Sequence, residues 1–166
     1  MFILSFLAIA VGGCASGPPA PHRGAPAANA AGDPTTIRNT AVEASDAAIM
    51  AVSLVGTPYA AGGGSPESGF DCSGLVAYVF ARAAQARLPR NTFDLANAGA
   101  EVAPGELQAG DLVFYNTQRR PYSHVGIYLG QSRFVHAPST GGAVRIEDMD
   151  VRYWAQRFDG ARRLSF

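Results

Sequence analysis

Helix-like sequence gives way to strand-like sequence near residue 100, and this order limits the fold more than any other feature of the chain. Two helical runs, at about 38–54 and 72–87, and a shorter one at about 92–98 come first. Short runs with strand character follow, separated by turn residues, at Asp111–Tyr115, His124–Leu129, Arg133–His136, Ala143–Ile146 and, after a helical turn at 152–158, Gly160–Leu164. Helices before an antiparallel meander predict an α+β domain in which the helix starting at Cys72 packs on the sheet.

The first 13 residues predict export of the chain. They are apolar and uncharged, too short to span a membrane but typical of the hydrophobic part of a secretory signal peptide. They end in Val11-Gly12-Gly13-Cys14, which resembles the lipobox of bacterial lipoproteins and implies a lipid chain on Cys14. No Lys or Arg precedes the apolar run, unlike in most signal peptides, so a simple cleaved signal or a chance cysteine is the alternative.

Residues 14–36 predict a tether between that lipid and a folded domain. The segment is rich in Pro, Ala and Gly, and such sequences bury too little apolar surface to fold. His22 lies within it and is expected to be solvated. Ala15 after the cysteine favours, by analogy with bacterial lipoproteins, the outer membrane, with residues 37–166 facing the periplasm as a single domain.

The composition excludes one class of partner. The 13 basic and 13 acidic residues give a net charge of zero and no basic run stands out, so nucleic acid is not expected. A hydrophobic content of 48% is that of a globular domain. The expected partners are a membrane, through the lipid on Cys14, and the ligand of the folded domain; the sequence names no protein regulator.

Cys72 stands where a helix is expected to begin, and this is the main chemical signal in the chain. Unpaired N–H groups and the positive end of the helix dipole favour the thiolate form of a cysteine in a first helical turn. Two histidines follow on strand-like segments, His124 in Ser123–Gly126 and His136 in Phe134–Ala137. Their spacing suits neighbouring strands, and a nucleophile, a base and an orienting group are what thiol catalysis requires.

Each of these residues has an alternative interpretation. Cys72 suits a buried structural thiol, since free cysteines often serve as small hydrophobic residues. The two histidines are also compatible with buried core positions at which their hydrogen bonds are satisfied. Together with Cys72 they are compatible with the three protein ligands of a catalytic zinc ion. The close-spaced Cys or His pair that usually anchors zinc is absent from the sequence, and a disulfide between Cys14 and Cys72 is the less economical interpretation.

Six short runs occur together between about residues 41 and 164. They are Gly56–Tyr59, Phe70–Val76, Leu88–Arg90, Gly110–Phe114, Ser123–Tyr128 and Phe134–Ala137. Their identity and order resemble the NlpC/P60 cysteine peptidases. The resemblance implies a papain-like α+β fold, hydrolysis of peptide bonds in bacterial peptidoglycan, and no metal or organic cofactor. It also implies that Cys72 is the nucleophile, His124 the base and His136 the orienting group.

Four further positions match the family pattern, each with a structural alternative. Tyr59 is expected to help hold the oxyanion together with the backbone N–H of Cys72, or else to pack. Asp71 and Ser73 flank the nucleophile and are expected either to contact the substrate or to cap the helix. Arg90 is expected either to bind a carboxylate of the stem peptide or to form a structural ion pair. The aromatic residues of the strand region, Trp154 among them, are mostly expected to pack.

The sequence therefore predicts a membrane-tethered cysteine endopeptidase acting on peptidoglycan stem peptides, at the bond from D-Glu to diaminopimelate, through a thioester. One alternative is a non-catalytic lipoprotein that binds peptidoglycan or a partner. A second alternative keeps the thioester chemistry with a different acceptor, giving an amidase or an acyltransferase.

Overall fold

The helix that opens the folded domain begins earlier than its sequence indicated. In the computed structural model, the backbone is described from Pro34 to Phe166 and the side chains from Glu43 onward. Helix α1 spans Pro34–Ser53, against an expected start at residue 38, and Gly56 with a φ of +93° follows its end. The predicted signal peptide, Cys14, His22 and the tether as far as residue 33 lie outside the described residues.

The buried side of α1 is lined by alanines rather than by its larger apolar residues. From the sequence, the spacing of Val42, Ile49, Met50 and Leu54 predicts that these residues mark the buried side of the helix. In the structure Ala47 and Ala51 are fully buried and Ile49 is 69% exposed, so the prediction for Ile49 was wrong. The physical reason is a close approach: a Cβ added to Gly110 would collide with the backbone of Ala44 on α1. Only small side chains fit where the helix lies this near the rest of the domain.

Short elements connect α1 to the sheet. They are the antiparallel pair β1 (Gly64–Ser65) and β2 (Gly69–Phe70), the helices α2 (Cys72–Ala83) and α3 (Thr92–Ala96), and a 3₁₀ turn at Pro104–Glu106. Helix α2 ends four residues before the predicted Arg87. There Gln85 adopts a φ of +53° and the N–H of Ala86 donates to the carbonyl of Phe80 at 3.1 Å. The left-handed residue ends the helix, and the sequence concealed this end because a left-handed position after a helix usually holds glycine.

One six-stranded antiparallel sheet forms the second half of the domain. Its strands are β3 (Ala100–Glu101), β4 (Leu112–Tyr115), β5 (His124–Gly130), β6 (Arg133–His136), β7 (Arg145–Asp148) and β8 (Phe158–Arg163), with a short helix α4 (Arg152–Ala155) before the last strand. The spatial order is β3-β8-β4-β5-β6-β7. Strands β4 to β7 form the predicted meander, and the chain then returns so that β8 pairs with β4.

Strand β7 begins two residues later than the sequence indicated. Residues 143 and 144 pair instead with the segment that follows α1, where the N–H of Val144 donates to the carbonyl of Thr57 at 2.8 Å and Ala143 forms a bridge with Pro58. The loop after α1 is thereby fixed to the far edge of the sheet, close to the start of α2.

The core lies on both faces of the sheet. Helices α1 and α2 contact each other and β5, with Leu75, Val79 and Phe80 fully buried between them and the sheet. Aromatic residues of β4, β6 and α4 cover the opposite face. In the described part of the chain, no helix combines the length and apolar character needed to cross a membrane. The α+β arrangement with α2 packed on an antiparallel sheet is as predicted.

A buried ion pair fastens the last strand to the start of β4. Asp111, whose side chain is 2% exposed, accepts two hydrogen bonds of 2.8 Å from the guanidinium of Arg163 and one of 2.7 Å from the N–H of Gln108. Because the carboxylate is both paired and hydrogen-bonded, burying it is tolerated, and loss of Arg163 would leave an uncompensated charge.

Candidate active site

Cys72 is the first residue of α2. Asp71 caps this helix, which is one of the two roles predicted for Asp71. Asp71 Oδ1 accepts from the N–H of Gly74 at 2.6 Å and from the hydroxyl of Ser73 at 3.0 Å, while Oδ2 accepts from the N–H of Gly62 at 3.0 Å. The hydroxyl of Ser73 also contacts the carbonyl of Arg90 at 2.8 Å. Local hydrogen bonds therefore set the position of the thiol.

Arg90 holds the glycine-rich loop against the start of α2. Its Nη2 group donates to the carbonyls of Gly62 and Gly63 at 3.1 and 3.0 Å and lies 3.7 Å from Asp71 Oδ2. A Cβ on Gly74 would collide with the carbonyl of Gly63 and with this guanidinium, so the loop approaches the helix as closely as a glycine permits. These contacts are the structural alternative considered for Arg90; its substrate contact stays a prediction.

The thiol of Cys72 is partly buried between α2 and β5. Burial raises the pKa of the thiol, and the charge of Asp71 raises it further. Hydrogen bonds from the backbone N–H groups of Val125, Ser73 and Cys72 itself lower that pKa, but they do not outweigh the burial. The predicted effect of the helix start is thus present, and the net result is a neutral thiol rather than a preformed thiolate.

Tyr59 lies beside the thiol. Burial raises the pKa of its hydroxyl, and the neighbouring Cys72 and Asp71 add to the shift. The backbone N–H of Tyr59 donates to the carbonyl of Gly142 at 2.9 Å, and Tyr59 bridges to Phe70 just before the nucleophile. Its place agrees with a hydroxyl that reaches the oxyanion, a role that stays a prediction.

His124 begins β5 and His136 ends β6, and the structure brings their rings together. Ile127 pairs with Val135, so the two histidines are diagonal neighbours on one face of the sheet. His124 Nε2 lies 2.7 Å from His136 Nδ1. Gly126 keeps the strands close here, because a Cβ at this position would lie 2.9 Å from the backbone oxygen of Val135. The predicted contact between the histidines is present.

The thiol of Cys72 lies near the start of β5, the strand that begins at His124. The N–H that donates to Cys72 belongs to Val125, the residue directly after His124. The hydroxyl of Ser123, directly before His124, accepts from the N–H groups of Thr117 and Gln118 at 2.9 and 3.1 Å. The backbone on both sides of His124 is therefore fixed, one side against the thiol and the other against the preceding loop.

Aromatic rings bury both histidines. The ring of Trp154 stacks on His124 with centroids 5.9 Å apart and stands edge-on to His136 at 5.0 Å, and Phe134 lies 5.0 Å from His136. Burial lowers the pKa of His124 to about 4 and that of His136 to about 2, and the charge of Arg145 lowers both. Both imidazoles are therefore neutral near pH 7.

A cavity of about 490 Å³ lies next to His124, and its walls hold residues that the sequence did not single out. They include Thr117, Ser139, Arg145 and Glu147, which lie there with Trp154, a residue that was expected to pack. The alternation of Arg145 and Glu147 along β7 was the available signal, because it places both side chains on the face that carries His136. Within Glu43–Phe166, no group of three or more His, Cys, Asp and Glu side chains is placed to hold a metal ion.

The family of the chain follows from its sequence together with this geometry. The sequence model described as the NlpC/P60 family matches residues 56–163, which contain Cys72, both histidines and every strand of the sheet. The chain belongs to the NlpC/P60 family.

Two curated relatives of this chain are named for the bonds that they hydrolyse. Murein DD-endopeptidase MepH from Escherichia coli K12 is 41% identical over 113 residues, covering 66% of this chain and 42% of the relative. Gamma-DL-glutamyl hydrolase from Bacillus subtilis 168 is 43% identical over 110 residues, covering 66% of this chain and 26% of the relative. This chain thus spans less than half the length of either relative.

A solved NlpC/P60 structure has the same fold. It is a protein of this family from Staphylococcus aureus Mu50, described as similar to lipoprotein, with 36% identity and a TM-score of 0.65. The match covers 75% of this chain and 42% of that one. The papain-like NlpC/P60 fold expected from the sequence is confirmed.

Proposed function

We propose that residues 37–166 are a cysteine endopeptidase that cleaves amide bonds in the stem peptides of peptidoglycan. The observation that carries the proposal is the hydrogen-bonded pair of His124 and His136, 2.7 Å apart, together with a partly buried thiol of Cys72 that lies against Val125, the residue directly after His124. The activities named for MepH and for the B. subtilis hydrolase support the same class of substrate.

The resting site holds a neutral thiol and a neutral imidazole. His124 Nε2 is occupied by His136, so His124 Nδ1 is the nitrogen left to take the thiol proton. For Nδ1 to be an acceptor, Nε2 must carry the ring proton of His124 and donate it to His136 Nδ1. His136 then carries its own proton on Nε2, which is buried without a partner among the described residues. His136 is thus a positioning residue that fixes the tautomer of His124.

The reaction then proceeds in two halves. Cys72 passes its proton to His124 as the sulfur attacks the carbonyl carbon, and the negative charge on the carbonyl oxygen meets the N–H of Cys72 and the hydroxyl of Tyr59. The C–N bond breaks, the imidazolium of His124 protonates the leaving amine, and a thioester remains. Water, deprotonated by His124, attacks the thioester and releases the acid and the thiol.

Two bonds are candidates for cleavage. The first is the bond from D-Glu to diaminopimelate, a γ-glutamyl linkage of the kind that the name of the B. subtilis relative describes. The second is the cross-link from D-Ala to diaminopimelate, which joins two D-centres as the name of MepH indicates. Diaminopimelate supplies the amine in both.

The test is mass spectrometry of muropeptides after incubation with the full chain, using an uncross-linked tripeptide and a cross-linked dimer, with Cys72→Ala as the control. Cleavage of the tripeptide after D-Glu identifies the first bond, and conversion of dimer to monomers identifies the second. If a folded wild-type protein gives neither product, or if Cys72→Ala gives the same products, the proposal is wrong. A new amide or ester product would instead indicate an acyltransferase.

We further propose that residues 1–13 are a signal peptide, that Cys14 carries lipid, and that residues 14–36 tether the enzyme to the outer membrane on its periplasmic side. The support is the resemblance of Val11–Cys14 to a lipobox and the description of the S. aureus neighbour as similar to lipoprotein. Cys14→Ser is expected to move the protein from the membrane to the soluble fraction. Unchanged membrane association of that variant would exclude the lipid anchor.

A further inference from the structure

A cavity borders His124, the residue that must protonate the leaving amine in the proposed reaction. Its walls include His124 but not Cys72, Tyr59 or Asp71, which lie around the start of α2. In the proposed reaction, His124 must protonate the amine as the C–N bond breaks, so the amine-side residue has to lie against the histidine. The cavity of about 490 Å³ is the space available to it there.

Arg145 is the cation in the wall of this cavity. It pairs with His136 across β6 and β7, so its side chain leaves the sheet from the face that carries the histidines. Its Nε group donates to Glu147 Oε1 at 2.7 Å. The hydrogen bonds among residues 43–166 leave its two Nη groups without an acceptor, and the side chain is 51% exposed. One edge of the guanidinium is therefore held while the other is open to a ligand.

A planar guanidinium with an open edge is suited to a carboxylate, which it binds through two parallel hydrogen bonds. Glu147 supplies the orientation: it fixes the Nε edge of Arg145 while its own side chain is only 26% exposed. The surrounding wall is formed by Ser139, Thr117 and the rings of Tyr153 and Trp154. In this wall Arg145 is the one group with a positive charge and Glu147, its partner at 2.7 Å, the one group with a negative charge. The open Nη edge of Arg145 is therefore the one cationic contact that the wall offers to an anionic substituent on the substrate.

We propose that Arg145 binds the carboxylate on the D-centre of diaminopimelate in the amine half of the substrate, with Glu147 as its positioning residue. The inference rests on the proposed endopeptidase function and names the specificity determinant of that site. The carboxylate remains free whichever of the two candidate bonds is cut, since neither bond uses it. Stem peptides in which this carboxylate is amidated, or in which lysine replaces diaminopimelate, lack the group that Arg145 recognises.

The test compares muropeptides whose D-centre carboxylate is free or amidated, using the full chain and reading kcat and KM separately. Amidation is expected to lower kcat/KM of the wild type roughly tenfold to a hundredfold, the range for a charge-assisted contact. Arg145→Gln is expected to lose about the same factor on the free substrate and to cleave the amidated one as the wild type does. Arg133→Gln, an exposed arginine that hydrogen-bonds Gln131 on the β5–β6 hairpin, is the matched control and should keep the wild-type ratio.

The outcomes separate this inference from the function on which it rests. A wild type that cuts both substrates equally, or an Arg145→Gln variant that keeps the wild-type preference, overturns the assignment of Arg145 and leaves the endopeptidase in place. A wild type that cuts neither overturns the proposed function itself. If Arg145→Gln loses its circular dichroism signal, Arg145→Lys is used instead. The lysine ammonium cannot form two parallel hydrogen bonds with a carboxylate. The ratio of kcat/KM on the free substrate to kcat/KM on the amidated one must therefore fall between one and the wild-type ratio. A ratio equal to that of the wild type overturns the two-bond contact between Arg145 and the carboxylate.

Discussion

The two sides of the candidate active site are built by opposite means. On the α2 side, the polar groups of Asp71, Ser73 and Arg90 are satisfied by neighbours in the same loop and helix start. On the strand side, His124 and His136 come from separate strands, lie among aromatic rings, and leave polar atoms such as His136 Nε2 without a partner in the described structure. The helix side is fixed by hydrogen bonds and the strand side by burial, which makes the strand side the more sensitive to protonation.

Acid is expected to have the largest effect, and to act through the strand side. The pKa values of His124 and His136 lie at about 4 and about 2 in the folded chain, below the usual 6.5, so the stability they provide is complete above pH 6.5 and is lost as the pH falls. At pH 4.5 the unfolded chain binds between one and two more protons than the folded one, a loss on the order of a few kcal/mol. Urea unfolding at pH 7 and pH 4.5 measures this.

The matched variant for the acid effect is the double substitution His124→Gln and His136→Gln, which keeps polar side chains without titration. Its free energy of unfolding should fall less between the two pH values than that of the wild type. Equal losses in both proteins would show that other groups, and not the buried histidines, control acid stability.

Loss of the base is expected to have the next largest effect. His124→Ala removes the acceptor for the thiol proton and should lower kcat/KM by about 10³-fold, within the range for general bases. Alkylation of Cys72 by iodoacetamide at pH 7 should also slow markedly, because the burial that raises the pKa of the thiol then has no base to oppose it. Wild-type alkylation rates in this variant would remove His124 from the role of base.

Substitution of His136 distinguishes positioning from chemistry. His136→Ala leaves His124 Nε2 without its partner and should lower kcat by roughly 10- to 100-fold, as outer positioning partners do. His136→Asn keeps an acceptor at the same place and should recover part of the loss. Variants that behave identically would show that the hydrogen bond between the histidines does not orient the base.

The smallest expected effect lies on the helix side. Asp71→Ala removes the cap on α2 and should lower the free energy of unfolding by about 1 kcal/mol. Asp71→Asn keeps an acceptor oxygen but removes the charge that raises the pKa of Cys72, so it should speed alkylation slightly at pH 7. A large stability loss in Asp71→Asn would mean that the ion pair with Arg90, rather than the cap, holds this side.

The helix cap was the more predictable part of the site, because its hydrogen bond is local. Asp71 next to Cys72 indicated a cap, and its carboxylate accepts from the N–H of Gly74 three residues on. The strand side needed register: the sequence suggested that the histidines are neighbours, but the place of Arg145 beside His136 depends on where β7 begins. That start moved by two residues because the preceding residues pair with the loop after α1, a long-range contact that local patterns do not carry.

The depth at which individual residues are buried was predicted wrongly from local sequence patterns. The helix start at Cys72 predicted a thiolate, and the amides that favour it are in place, yet desolvation outweighs them. Ile49 was expected in the core and lies outside it, since a close backbone contact admits only alanines. Both errors have one origin: how deeply a residue is enclosed depends on elements far along the chain.

The position of β8 between β3 and β4 has a consequence for how the chain matures. A chain made or exported from its N-terminus presents Asp111 and one edge of β4 long before Phe158–Arg163 arrive to pair with them. Until then β4 has an open edge and Asp111 lacks the cation that pairs with it. A product that ends before Phe158 therefore exposes an unpaired strand edge and an uncompensated carboxylate, the two features that Phe158–Arg163 remove.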